Sequence, residues 1–246
     1  MFSYIFHTIF YNPIYNGLVF LVSFFPWMDL GIAVVIVTLV VKLIVFPLTK
    51  ESIKTQLKVK EIDPLVNEIR KKYEKDKEAQ ARKIMDLYKE YKINPFASFF
   101  LILVQLPILF ALYFVFLKGG LPDVNFDILY SFIKAPAHID NVTFLGFFDI
   151  TQKSFILALL AGISQFFQIR LVMSGQKKND KPADQNTFKD DLVKNMQLQM
   201  KYVMPVIIFI IAYGLISAVA LYWITSNLFM IVQELYIRKT VKAENK

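Results

Sequence analysis

The chain contains no cysteine among its 246 residues, which removes disulfides, thiolate metal sites and a lipid-modified cysteine anchor from consideration. Its two histidines, His7 and His138, are isolated in the sequence. They read as ordinary polar residues, and no metal site is expected of them. Residues 1–29 hold no Lys or Arg, so the charged leader of a secretory signal peptide is missing. Paired carboxylates within apolar stretches, His-Glu metal spacing, a nucleophile elbow and a phosphate-binding glycine loop are all missing too. Neither an enzymatic activity nor a cofactor is therefore expected. The one acid inside an apolar run, Glu234, supplies no relay of titrating groups for proton-coupled transport.

What the chain has is apolar length. It is 56% hydrophobic and 15% aromatic, and its apolar residues are gathered into runs of about 20, the number that crosses a hydrocarbon layer of roughly 30 Å. The first run is 30–48, interrupted by Lys42 and closed by Pro47. The second, 95–117, starts after an Asn94-Pro95 break, and the third is 155–173. The last apolar run, 202–236, is too long for one span and just long enough for two, with Gly214 and Ser217 near its middle. It is read as a tight hairpin of spans 202–216 and 218–236. Residues 1–29, aromatic-rich and punctuated by Pro13 and Pro26, read as a helix lying in the outer interface, with a sixth span as the alternative.

Charge sets the orientation. The net charge of +8 lies between the apolar runs rather than on one face. Thirteen Lys/Arg fall in 50–92, six in 174–201 and four in 238–246, against none in 1–29 and three in 118–153. Five spans place all three rich segments on one side, which predicts an external N-terminus and a cytoplasmic C-terminus. Segment 50–93 has its own pattern. Ile62, Val66, Ile69 and Tyr73 repeat at 4-3-4, while Ala81, Ile84, Tyr88 and Tyr91 repeat at 3-4-3, on either side of the fully charged 74–78. Two such seams predict an antiparallel helical hairpin standing in the cytoplasm. The loop 118–152 is expected to hold a short helix near 126–133, 174–201 is a polar cytoplasmic linker, and 237–246 is a cytoplasmic tail.

Polarity inside apolar runs is costly, so it locates the candidate site. A charge near a span's centre costs about 2.5–3.5 kcal/mol on insertion scales. Lys42 has that position, with Thr38 one turn before it on the same helix face. Gln105 interrupts the second span, Gln165 and Gln168 the third, and Ser226 and Asn227 the fifth. Singly each suits interhelical hydrogen bonding; together, with one cation, they suit a shared wet cavity.

Four stretches resemble the bacterial members of the YidC/Oxa/Alb insertase family: ALYWITSNLFMIVQELYI (220–237), NPFASFFLILVQLPILFALY (94–113), AGISQFFQ in the third span, and the cation followed by FPLT in the first. They occur in family order, with a charged hairpin between the first two. The resemblance covers about residues 30–238 and matches a compact form without a large periplasmic domain. It implies an all-α membrane protein, with five core helices around a hydrophilic groove open to the cytoplasm and closed outside. It implies insertion of small membrane proteins, alone or together with the Sec translocon. Residue by residue, it puts the groove's cation on Lys42 and its lining on Thr38, Gln105, Gln165, Trp223 and Ser226. The implied partners are newly made membrane proteins and the lipid bilayer, then the Sec translocon, the signal recognition machinery and the ribosome, with no direct binding of nucleic acid. Two departures stand out: Lys42 replaces the family's usual Arg, and Ile216-Ser217-Ala218 stands where Pro-Ser-Gly is common. A small channel or secondary transporter, and an assembly partner that holds spans without moving them, are the rival readings.

Overall fold

The computed structural model describes residues 2–94, 97–117, 120–174 and 198–244. The linker expected over 174–201 lies, apart from its ends, outside them. Helix α1 (Phe2–Phe6) passes through a π turn, His7–Tyr11, into α2 (Asn12–Phe24). Helix α3 (Leu30–Glu61) is followed by the short helices α4 (Asp63–Lys72) and α5 (Lys77–Glu90), then α6 (Ala97–Leu117). Next come a two-stranded hairpin, β1 (Thr143–Phe144) with β2 (Phe148–Asp149), and helix α7 (Phe155–Met173). A second π turn, Gln199–Val203, leads into α8 (Met204–Gly214), and α9 (Ser217–Glu244) is the last described element.

Among the described residues, four helices are long and apolar enough to cross a membrane by length and composition: Ser3–Phe24, Leu30–Glu61, Phe155–Met173 and Ser217–Val241. Leu103–Leu117 and Gln199–Gly214 are shorter apolar helices. The molecule is thus an all-α membrane protein. Pro47 does not close α3, which continues through it to Glu61. The proline removes one backbone donor, and the helix still gains enough from the buried Thr49, Ser52 and Ile53 beyond it to carry on. At 32 residues, α3 is about 48 Å long, so it projects well past a bilayer and carries α4 and α5 at its end. There Ile62, Val66 and Ile93 are buried, with Ile84, Leu87 and Tyr88 packed against them, and the Gln80 amide donates to the Arg70 carbonyl at 2.8 Å.

Three long helices run parallel. Contacts between Ser217 and Gln152, Asn227 and Ser164, and Arg238 and Leu171 set α9 alongside α7 in the same direction. On its other side α9 packs against α3. The main core joins α2, α3 and α6 to the first turns of α9 and the 121–150 loop. A second cluster joins α7, α8 and α9 through Leu157, Ala158, Ala161, Ala212 and Ala220.

The loop after α6 holds one 3-10 turn, Phe126–Ile128, where a longer helix was expected, and the β-hairpin, which the sequence did not announce. This loop caps the bundle. Asp29, the N-cap of α3, accepts from Ile32 N at 2.6 Å and from Leu145 N at 2.8 Å. Leu30 N donates to Asn141 O at 2.9 Å. At α9, Ser217 N donates to Gln152 O at 2.8 Å and Ala218 N to Ile150 O at 2.9 Å. Amides at two helix starts are thereby satisfied by one loop. Gly31 permits the contact, because a Cβ there would lie 2.5 Å from Phe144 Cβ and 2.8 Å from Phe144 Cα.

Candidate functional site

Lys42 is 7% exposed and points into the bundle. Its Nζ donates to Gln105 Oε1 at 2.9 Å, the Gln105 amide donates to the Tyr222 hydroxyl, and Tyr222 is 2% exposed. One polar chain therefore links α3, α6 and α9. The described residues place no carboxylate within ion-pair distance of Lys42. A neutral amide is its partner, which satisfies a donor but leaves the positive charge uncompensated. Thr38, one turn earlier in α3, donates its hydroxyl to Val34 O at 2.7 Å. With Ile14, Val37, Val41, Ile108, Leu112 and Tyr222 it borders a void of about 10 Å³, room for a single water at most.

The buried polar stripe continues toward the far end of α3. Thr49 and Ser52 are buried on α3, at seven and ten residues from Lys42. Ser226 and Gln233 are buried on α9, at four and eleven residues from Tyr222. These spacings keep one helix face. Among the described residues neither amide atom of Gln233 has a hydrogen-bond partner, a state that buried amides rarely tolerate without water or a ligand.

The sequence-derived candidates divide into two groups around α9. Lys42, Gln105 and Thr38 lie on the α3 side, and Ser226, buried one turn after Tyr222, shares that residue's face of α9. Trp223, one residue on from Tyr222, packs in the α7–α8–α9 cluster instead. Gln165, on α7, donates to Gln168 Oε1 at 3.1 Å. Nearby, Asn227 Nδ2 donates to Ser164 Oγ at 3.0 Å. Sequence reasoning left Tyr222, Ser164 and Gln233 out of the site. Tyr222 and Gln233 could have been found by stepping four back and seven on from Ser226.

The C-terminal parts of the three parallel helices are fastened by cations. Lys60 Nζ donates to Val172 O at 2.6 Å. Arg238 donates to Leu171 O at 2.8 Å, Val172 O at 3.2 Å and Ser174 O at 3.1 Å, while its Nε binds Glu234 Oε1 at 2.7 Å. Two positive side chains on the C-terminal carbonyls of α7 also oppose that helix's negative end.

Long apolar helices with a buried cation and polar side chains turned inward define a multi-pass membrane protein. The chain belongs to the YidC/Oxa family of membrane protein insertases: residues 20–245 match the family model described as "60Kd inner membrane protein". It is 34% identical over 216 residues to the membrane protein insertase YidC of Clostridium tetani, covering 87% of this chain and 84% of that one. It is 34% identical over 222 residues to the Oceanobacillus iheyensis insertase, covering 87% and 76%. With the Wolinella succinogenes insertase it shares 32% over 244 residues, 99% of this chain but 40% of the longer relative.

Proposed function

We propose that this protein inserts small membrane proteins into the bacterial inner membrane, unaided or beside the Sec translocon, and that the α3–α6–α9 polar stripe is the groove that receives the substrate. The observation that carries the reading is the buried Lys42 held by a neutral amide. A buried cation without a counter-charge is an unfilled electrostatic site. A carboxylate 4 Å away gains about 4 kcal/mol at an effective dielectric near 20, and hydration of the groove reduces that gain. An acidic translocated tail entering along Gln233, Ser52 and Thr49 would take Gln105's place on Lys42. The polar walls replace part of the water it loses. Its apolar segment then passes into lipid, driven by burial of about 25 cal/mol per Å². Lys42, Thr38, Gln105 and Ser226 would line the receiving side. Gln165 and Trp223, across α9, would line the exit toward lipid. The α4–α5 hairpin would make first contact with the substrate, with ribosome, signal recognition and Sec components as further cytoplasmic partners.

We further propose that α3, α6, α7, α8 and α9 are the five spans, with the N-terminus outside and α1–α2 in the outer interface. Gly17 lies beside Val37, so a helix crossing antiparallel to α3 would bring Phe6 to about Leu48. The Phe6 ring instead packs on Phe114, with centroids 6.2 Å apart. Phe114 is nine residues outward of Gln105, about 13 Å along α6. Tyr15 and Asn16 meanwhile bind the external loop, with Asn125 N donating to Tyr15 Oη at 2.7 Å and Tyr130 N to Asn16 Oδ1 at 2.6 Å. These contacts favour a helix lying along the outer half of the bundle.

Reconstitution tests the function. Protein purified alone into vesicles should insert a single-span substrate with an acidic tail into a protease-protected position without ATP. Ion or solute flux without insertion would instead favour a channel or transporter, and neither insertion nor flux would favour an assembly partner.

A further inference from the structure

The β1–β2 turn has residues that do not fit its backbone in water. Leu145 and Gly146 have φ of +53° and +74°, and Phe147 N donates to Phe144 O at 3.1 Å. Positive φ at both central positions is the mark of a type I′ turn, which Asn-Gly or Asp-Gly fills in soluble hairpins. Here the first position is a leucine, a residue that seldom adopts a left-handed backbone. Its side chain is 58% exposed, and the next side chain, Phe147, is 84% exposed. An apolar turn tip with a left-handed leucine and most of its surface uncovered by its own protein asks for a partner outside it.

The tip's place in the fold identifies that partner. Leu145 N is bound by Asp29 at the first turn of α3, where the first apolar span begins, so the tip stands at the boundary between hydrocarbon and water. Trp27, two residues before Asp29, is 73% exposed at the same end. Aromatic and leucine side chains at that depth partition into the headgroup–acyl boundary.

We propose that the 143–149 hairpin is a lipid anchor: Leu145 and Phe147 insert into the membrane interface at the Leu30 end of α3, continuous with the lipid-facing surface of the spans. The occupant is the bilayer itself. Because the same hairpin caps α3 and α9, lipid contact at the tip holds that cap against the helix starts.

The absence of native cysteine makes the test direct. Phe147→Cys is labelled with an environment-sensitive fluorophore. It is placed in phosphatidylethanolamine–phosphatidylglycerol vesicles containing phosphatidylcholine with a nitroxide near the glycerol end of its chain. Asp140→Cys, on the exposed part of the same loop, is the aqueous reference. The nitroxide lipid should quench the Phe147 label at least twofold more than the reference label, and iodide on both faces should quench it at least twofold less. Leu145→Asn, which suits the turn's backbone but not lipid, should shift the Phe147 label toward the reference. Equal iodide quenching at the two positions overturns the proposal. So does protection from both quenchers, which would assign the tip to a protein partner or a second copy.

Discussion

Lys42 joins a stability question to a functional one, and the two separate under mutation. Its buried charge is stabilised by one neutral hydrogen bond, and replacing a buried ion by an apolar residue of similar size is often neutral or stabilising. Lys42→Met is therefore expected to leave thermal unfolding in detergent unchanged or raised, while insertion of acidic-tailed substrates falls by roughly tenfold or more. Lys42→Glu should abolish that insertion, because attraction becomes repulsion. Unchanged insertion by both variants would remove Lys42 from the mechanism. Lys42→Arg should retain insertion and strengthen capture of carboxylates through a bidentate fork. Tyr222→Phe takes away the hydroxyl that accepts from Gln105. An unmade buried hydrogen bond costs about 1–3 kcal/mol, so its unfolding midpoint should drop measurably even though the ring still fills its place. Lys42 and Gln105 were legible in the sequence because a charge or an amide in an apolar run is conspicuous. Tyr222 was not, since a tyrosine in such a run is indistinguishable from a packed aromatic until its hydroxyl is seen to meet Gln105.

At the scale of elements, the caps decide how firmly the bundle is held. Gly31→Ala would normally favour a helix by about 1 kcal/mol, but its new methyl meets the Phe144 backbone, and overpacking costs about 1–3 kcal/mol. The variant is expected to be the less stable protein by thermal scan in detergent. A stabilised variant would mean that the hairpin does not sit on α3. At the opposite end, Arg238→Gln leaves Glu234 buried without its paired guanidinium, a loss of up to about 3–5 kcal/mol for a buried pair broken on one side, lessened by the nearby Lys60. Adding Glu234→Gln should restore part of it, and a double-mutant cycle in unfolding free energy measures the coupling. Helices were easier to anticipate than these joints. Apolar runs marked α3, α7 and α9, and the 4-3-4 seam marked α4 against α5. The continuation of α3 through Pro47 escaped notice, because tertiary contacts at Ser52 and Ile53 outweigh a local breaker. The β-hairpin escaped too, since two-residue strands leave almost no period and Leu-Gly is not a turn signature.

For the whole molecule, the orientation proposed from the distribution of Lys and Arg is open to direct labelling. Single cysteines placed in the otherwise cysteine-free chain should react with a membrane-impermeant maleimide from outside intact cells at positions 4 and 140. Positions 75 and 244 should react only after permeabilisation. If residue 4 reacted only from the cytoplasmic side, α1–α2 would be a sixth span. The membrane class was the global property most readable beforehand, because apolar runs of spanning length are counted rather than folded. The common direction of α3, α7 and α9 follows from five alternating spans, but that α9 lies between the other two in that parallel run was not readable, since no local pattern reports which helices become neighbours.

That parallel run, fixed at both ends by unlike means, has a mechanical consequence. At one end the joints are short backbone hydrogen bonds into a single loop; at the other they are long, flexible lysine and arginine arms. Such a trio behaves like tongs with a stiff pivot and compliant tips. Separation grows with distance from the pivot, so the helix ends carrying Lys60 and Arg238 part more readily than the ends held by the 141–152 loop.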